Sequence, residues 1–192
     1  MRASISSEPW GFILAALLLL LVPLPWLCAA VLAGLIHEAF HMIAIVLCGY
    51  HIEGIRIGLW GTVMETDLEG GISELLCAMA GPFGSLLLLT LCHRFPMLSL
   101  CGAAQGLFNL LPVYPLDGGR AMLCLLGLLF PAKADVLGKW ITRAVFALLT
   151  AACFYGAIRL SLGLFPLILL LLLLLNAFLR KRPCKQPQIG VQ

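Results

Sequence analysis

Hydrophobic positions in this chain fall in long unbroken runs rather than in the alternating pattern of a soluble domain. Runs at 10–22, 26–48, 72–92, 96–111, 136–160 and 162–179 predict about six membrane-spanning helices, since about 20 apolar residues cross the hydrocarbon layer. Pro23-Leu24-Pro25 separates the first two runs, because proline removes a helical hydrogen bond and crowds the preceding turn. A further run at 118–130 is too short to cross and follows a proline-rich turn, which predicts a half-helix or re-entrant segment. The final run holds a tract of leucine and isoleucine at 167–175 that carries no chemistry.

Between the second and third runs the period shortens. Ile52, Ile55, Ile57, Leu59 and Val63 are interrupted by Gly54, Gly58 and Gly61, so residues 55–57 and 62–64 read as short strands around Trp60-Gly61. A β-hairpin-like element at the membrane surface is expected. Its role stays open between an edge that accepts an unfolded substrate as an added strand and an interfacial loop anchored by Trp60. The expected fold class is therefore an all-α polytopic membrane protein, with that element and a re-entrant Pro/Gly segment. One membrane domain covers 1–182, and 183–192 is a short polar tail.

Composition agrees. Of 192 residues, 62% are hydrophobic and 11% charged, against about a quarter charged in soluble domains. A net charge of +3 is too small and too localised to suggest a nucleic-acid partner. With the N-terminus inside, the predicted inner segments hold Arg2, Arg56, Arg120, Lys133, Lys139, Arg143, Arg180, Lys181, Arg182 and Lys185, and only Arg94 and Arg159 fall outside. That bias predicts cytosolic termini, with the 180–185 cluster as a stop-transfer anchor. Arg2, the run 11–22 and Cys28-Ala29-Ala30 imitate a secretory signal. Apolar sequence continues past them without pause, however, so the segment is expected to be a retained first span. The eight cysteines form no CxxC pair and read as small packing residues, with Cys48 a minor alternative metal ligand.

Two constellations carry chemistry. His37-Glu38-Ala39-Phe40-His41 is an HExxH motif inside the second span. On a helix, residues four apart share a face, so both imidazoles can reach one zinc, and Glu38 beside them is suited to take a proton from water at that metal. Ionisable groups at membrane depth are costly and usually functional; the bland alternative is polar residues bonded between packed helices. The second constellation runs from Asn109 through Pro112, Pro115 and Asp117-Gly118-Gly119 to Arg120. The prolines prevent regular helix and the glycines permit tight or positive-φ backbone. Asp117 is expected to complete a His, His, Asp set with a fourth position open to water, while the Asn109 amide is expected to bind substrate backbone or support an oxyanion. Read alone, the same segment is a Pro/Gly turn in which Asp117 caps the next helix. His51 and His93 read as interfacial or solvated, and Gly81, Pro82 and Gly84 as a kink or close-packing site.

HExxH in one span and NxxPxxPxDG near the end of a later one resemble the site-2 protease family of intramembrane zinc metalloproteases, as does Ala80-Gly81-Pro82. The likeness covers about residues 10–180 and is nearest to the stage IV sporulation branch. That branch typically continues into a nucleotide-binding CBS domain, which this chain is expected to lack. The resemblance implies one zinc per chain held by His37, His41 and Asp117, with Glu38 as general base. It implies cleavage of a membrane-tethered sigma-factor precursor in a bacterial cell membrane, with membrane-protein partners that inhibit and scaffold the enzyme. The rival expectation is a non-proteolytic membrane protein that binds or transports metal. Transporters usually spread ionisable residues over several spans or internal repeats, and here they concentrate in one place.

Overall fold

The computed structural model describes residues 22–58, 61–66, 71–114 and 116–159. The expected first and last spans, and the 183–192 tail, lie outside these residues. Helix α1 (Leu24–Leu47) starts directly after Pro23, with Pro25 in its first turn, where a missing N–H costs nothing. It closes in a Schellman motif. The Tyr50 amide donates to the Ile45 carbonyl and the Gly49 amide to that of Val46, and Gly49 takes the left-handed φ of 82° that this cap requires. The chain then forms strands β1 (Ile52–Gly58) and β2 (Gly61–Thr66), paired antiparallel with Gly58 opposite Gly61, Arg56 opposite Val63 and an irregularity between Ile52 and Gly54.

Helix α2 (Ile72–Leu87) follows a second left-handed glycine, Gly71, runs through Pro82 and tightens into a 3₁₀ turn at Leu88–Leu91. Helix α3 (Pro96–Asn109) has 14 residues, or about 21 Å, and so falls short of the ~30 Å hydrocarbon layer. The apolar run 96–111 predicts a span there. The apolar run does extend to Leu111, but Pro112 ends regular helix before it can be used. Helix α4 (Asp117–Leu129) is likewise short, and α5 (Ala134–Arg159) is long. Among the described residues, three helical segments, Leu24–Leu47, Ile72–Leu91 and Ala134–Gly156, are long and apolar enough to cross a membrane. Their outward faces carry Leu35, Ile43, Val46, Leu76, Phe83, Trp140 and Leu148, all well exposed. Hydrocarbon, not water, is the solvent that suits those faces, and this is a membrane protein.

The core lies where α1, α2 and α3 meet. Helix α2 runs antiparallel to both neighbours, with Cys77 beside His41 and Ser85 beside His37 on α1, and Ser85 and Leu88 beside Gly102 on α3. Gly102 and Gly106, four apart on α3, let its backbone settle onto Pro82, Ser85 and Leu88; a Cβ at Gly102 would come within 2.9 Å of the Ser85 carbonyl oxygen. This is the small-xxx-small contact by which helices associate where lipid supplies no hydrophobic drive. The buried Ser99 hydroxyl donates to the Leu88 carbonyl at 2.5 Å, satisfying a group in the turn where α2 tightens.

Candidate metal centre

His37 and His41 are among the few residues of α1 buried in this core, at 2% and 8% exposure. The four-residue spacing puts both rings on the face that meets α2, and their centroids are 4.8 Å apart. Asp117, the first residue of α4, reaches the same point from the opposite side. Its Oδ2 lies 3.0 Å from His37 Nε2 and 3.2 Å from His41 Nε2, and the two Nε2 atoms are 3.2 Å apart.

Helix α2 fixes how the rings present themselves. The Cys77 carbonyl accepts from His41 Nδ1 at 2.7 Å, so that nitrogen carries the proton and Nε2 offers a lone pair. His37 Nδ1 donates to Ser85 Oγ at 2.8 Å, and Ser85 is completely buried. The Asn109 amide nitrogen, at the end of α3, approaches His37 Nε2 at 3.3 Å from a fourth direction and donates to it. Two ring nitrogens and one carboxylate oxygen thus converge, all of them electron-pair donors. Such a cluster is repulsive unless a cation or protons lie among them.

The dimensions suit a metal. Tetrahedral zinc with bonds of 2.0–2.2 Å spaces its ligand atoms about 3.3–3.6 Å apart, and the triangle seen here needs to open only slightly. His37, His41 and Asp117 also form a mixed nitrogen and oxygen set that zinc accepts, so they can hold the ion. Among the described residues, neither Cys48 nor His51 belongs to this group. Glu38 sits half-buried on α1, in the turn between the two histidines.

Glycine clears the space. A Cβ on Gly81 would overlap the His41 ring, and one on Gly84 the Phe40 ring. Gly118 and Gly119 lie against backbone atoms of Leu110, Leu111, Val113 and Tyr114, so the loop between α3 and α4 folds back tightly on the start of α4. The sequence left these two glycines open between tight packing and positive φ, and packing is what requires them: among the described glycines only Gly49 and Gly71 take positive φ. Arg120 forms a part-exposed ion pair with Glu74 of α2 at 3.7 Å.

Two contributors escaped the sequence reading. Ser85 carried a usable signal, since a hydroxyl in an apolar helix three residues past Pro82 is a polar group at membrane depth. The Cys77 carbonyl carried none, because any residue would supply it.

No protein-family model and no curated protein matches the chain. Among solved structures it is similar to the site-2 protease from Methanocaldococcus jannaschii, at 21% identity over 100% of this chain and 95% of that chain, with a TM-score of 0.65. The fold is that of a site-2 protease.

Proposed function

We propose that this chain is a zinc-dependent intramembrane endopeptidase that cuts a membrane-tethered protein, with a sporulation sigma-factor precursor as the substrate class. It works in a bacterial cell membrane, with both termini cytosolic and membrane proteins as inhibitor and scaffold. One observation carries the reading: three metal-ligand atoms converge inside apolar helices with a carboxylate, Glu38, in the same helical turn. A metal carrier needs the cage but has no use for that neighbouring carboxylate. The site-2 protease fold and the NxxPxxPxDG segment wrapped around Asp117 support the same reading.

His37, His41 and Asp117 would hold one zinc, which when bound supplies a Lewis acid with one open position and lowers the pKa of water there. The proton chemistry belongs to the chain. Glu38 takes the proton from the attacking water and returns it to the departing amine nitrogen. The Asn109 amide donates to the carbonyl oxygen as negative charge gathers on it. Ser85 and the Cys77 carbonyl keep both imidazoles turned with Nε2 toward Asp117, where they would hold the ion. The substrate must be locally unwound, since a helical carbonyl is already occupied by its own hydrogen bond.

Co-expression with a tethered sigma-factor precursor tests this. The native chain should shorten the precursor. Glu38→Gln should reduce cleavage by about 10²–10⁴-fold, the usual share of a general base, with zinc still bound. Asp117→Ala should lose both zinc and cleavage. A native chain that binds neither zinc nor precursor would refute the reading. Zinc bound without cleavage of any membrane-tethered protein would favour the carrier.

A further inference from the structure

Apart from the buried Thr142 hydroxyl of α5, which has no partner among the described residues, polar side chains in the packed helices are nearly all accounted for. Ser85 bonds to His37, Ser99 to the Leu88 carbonyl and Thr90 to the Leu87 carbonyl. Gln105 differs. It is half-buried on α3, and its carboxamide makes no hydrogen bond among the described residues. A half-buried carboxamide with no partner among the described residues keeps its donors and acceptor available to a bound peptide.

Its position says what. The Gln105 amide lies against Gly34 of α1, with Nε2 3.6 Å from where a Cβ would be. One turn further along both helices, the Asn109 amide meets His37. Gly34 and Glu38 are four apart on α1, as are Gln105 and Asn109 on α3, and all four residues are half-buried. Gly34 and His37 of α1 meet Gln105 and Asn109 of α3 along a seam between two helices that run in parallel, with the metal-ligand atoms at one end. With no side chain at Gly34, the Gln105 amide lies close against the α1 backbone.

The spacing fits a backbone. Side chains four apart on a helix are about 6 Å apart, and alternate residues of an extended peptide repeat every ~6.6 Å. We infer that Gln105 is a substrate-binding residue, whose carboxamide hydrogen-bonds the main chain of an unwound substrate two residues from the scissile bond, while Asn109 serves the scissile carbonyl. A carboxamide both donates and accepts, so this contact holds the strand without reading its side chains. Substrates would then be selected by their readiness to unwind rather than by a residue motif. The inference rests on the protease reading above.

Binding, not turnover, tests it. The probes are short peptides bearing a hydroxamate to occupy the open metal position, extended in one series to its amino-terminal side and in another to its carboxy-terminal side. In each series the backbone amide two residues from the hydroxamate is replaced by an ester, which removes the N–H and weakens the carbonyl acceptor. For the full zinc-loaded chain, the ester should weaken Kd by about 5–10-fold in one series, the range of a single hydrogen bond. For Gln105→Leu, amide and ester should bind alike, within twofold, while the affinity for acetohydroxamate and the zinc content match the native protein. Because the ester comparison is made on the native chain, a poorly folded variant does not decide the outcome. An equal ester penalty in both proteins, or none in the native one, overturns the role of Gln105 and leaves the protease reading standing. Absence of any zinc-dependent hydroxamate binding overturns both.

Discussion

The helices around the metal-ligand atoms and the α4–α5 arm behind them are similarly apolar in sequence, yet they are built on different terms. In α2, 39% of the most hydrophobic window is buried, and its small residues are in contact: Gly81 with His41, Gly84 with Phe40, Ser85 with Gly102 and Gly106 of α3. In α5 the share is 11%. There Gly138 faces only the flexible ends of Leu123 and Met122, and nothing lies within 4 Å of where a Cβ on Gly127 of α4 would be. One region is specified by backbone proximity and buried hydrogen bonds. The other, among the described residues, carries few such contacts and turns apolar side chains outward. Zinc chemistry requires ligand atoms held to a few tenths of an ångström, and only the first kind of construction supplies that.

Paired glycine substitutions put the contrast at greatest risk. Gly81→Ala should push the His41 ring off its Cys77 acceptor, and bound zinc should fall well below one per chain with proteolysis lost alongside it. Gly127→Ala should bind zinc normally and gain about 0.5–1 kcal/mol in stability, the helix preference of alanine over glycine. Metal analysis and thermal unfolding of the two purified proteins measure both. Full zinc in Gly81→Ala would mean that α2 can retreat from α1 without cost to the site.

A subtler substitution keeps the backbones in place and removes only a hydrogen bond. Ser85→Ala deletes the acceptor for His37 Nδ1 in a fully buried position. Zinc affinity should drop about 10–100-fold, as is usual when a partner of a metal-bound histidine is removed. Competition against a chelator of known affinity reads this directly, and Ser85→Thr should restore part of it. Unchanged affinity would make Ser85 a packing residue that happens to lie within bonding distance.

These contrasts also mark what the sequence could disclose. HExxH needed only helical periodicity to place both imidazoles on one face, and Asp117 was legible because the two prolines before it forbid ordinary helix and the two glycines after it permit tight backbone. Apolar run length identified α1, the 72–91 segment and α5 as long helices, but it overestimated α3, because the run passes through Leu110 and Leu111 before the proline that ends it. Hydropathy also carries no distances. That Gly81 faces the His41 ring, and that a main-chain carbonyl at Cys77 sets the tautomer of that histidine, arise from packing between segments 36 to 40 residues apart.

The smallest expected effect concerns how Asp117 is held. Two devices tie the start of α4 to its surroundings: the contact of Gly118 and Gly119 with the preceding loop, and the Arg120–Glu74 ion pair to α2. The ion pair spans 3.7 Å with both side chains about a third exposed, so solvent and headgroups screen it, and pairs of that kind contribute about 0–1 kcal/mol. The glycine contacts involve backbone on both sides and cannot relax by rotating a side chain. Arg120→Ala should therefore lower stability by less than ~1 kcal/mol and leave zinc affinity within about twofold, at a salt concentration where the native protein shows the same stability. If zinc affinity instead fell tenfold or more, and Glu74→Ala reproduced the loss, the ion pair rather than the folded-back loop would be what holds the carboxylate against the two imidazoles.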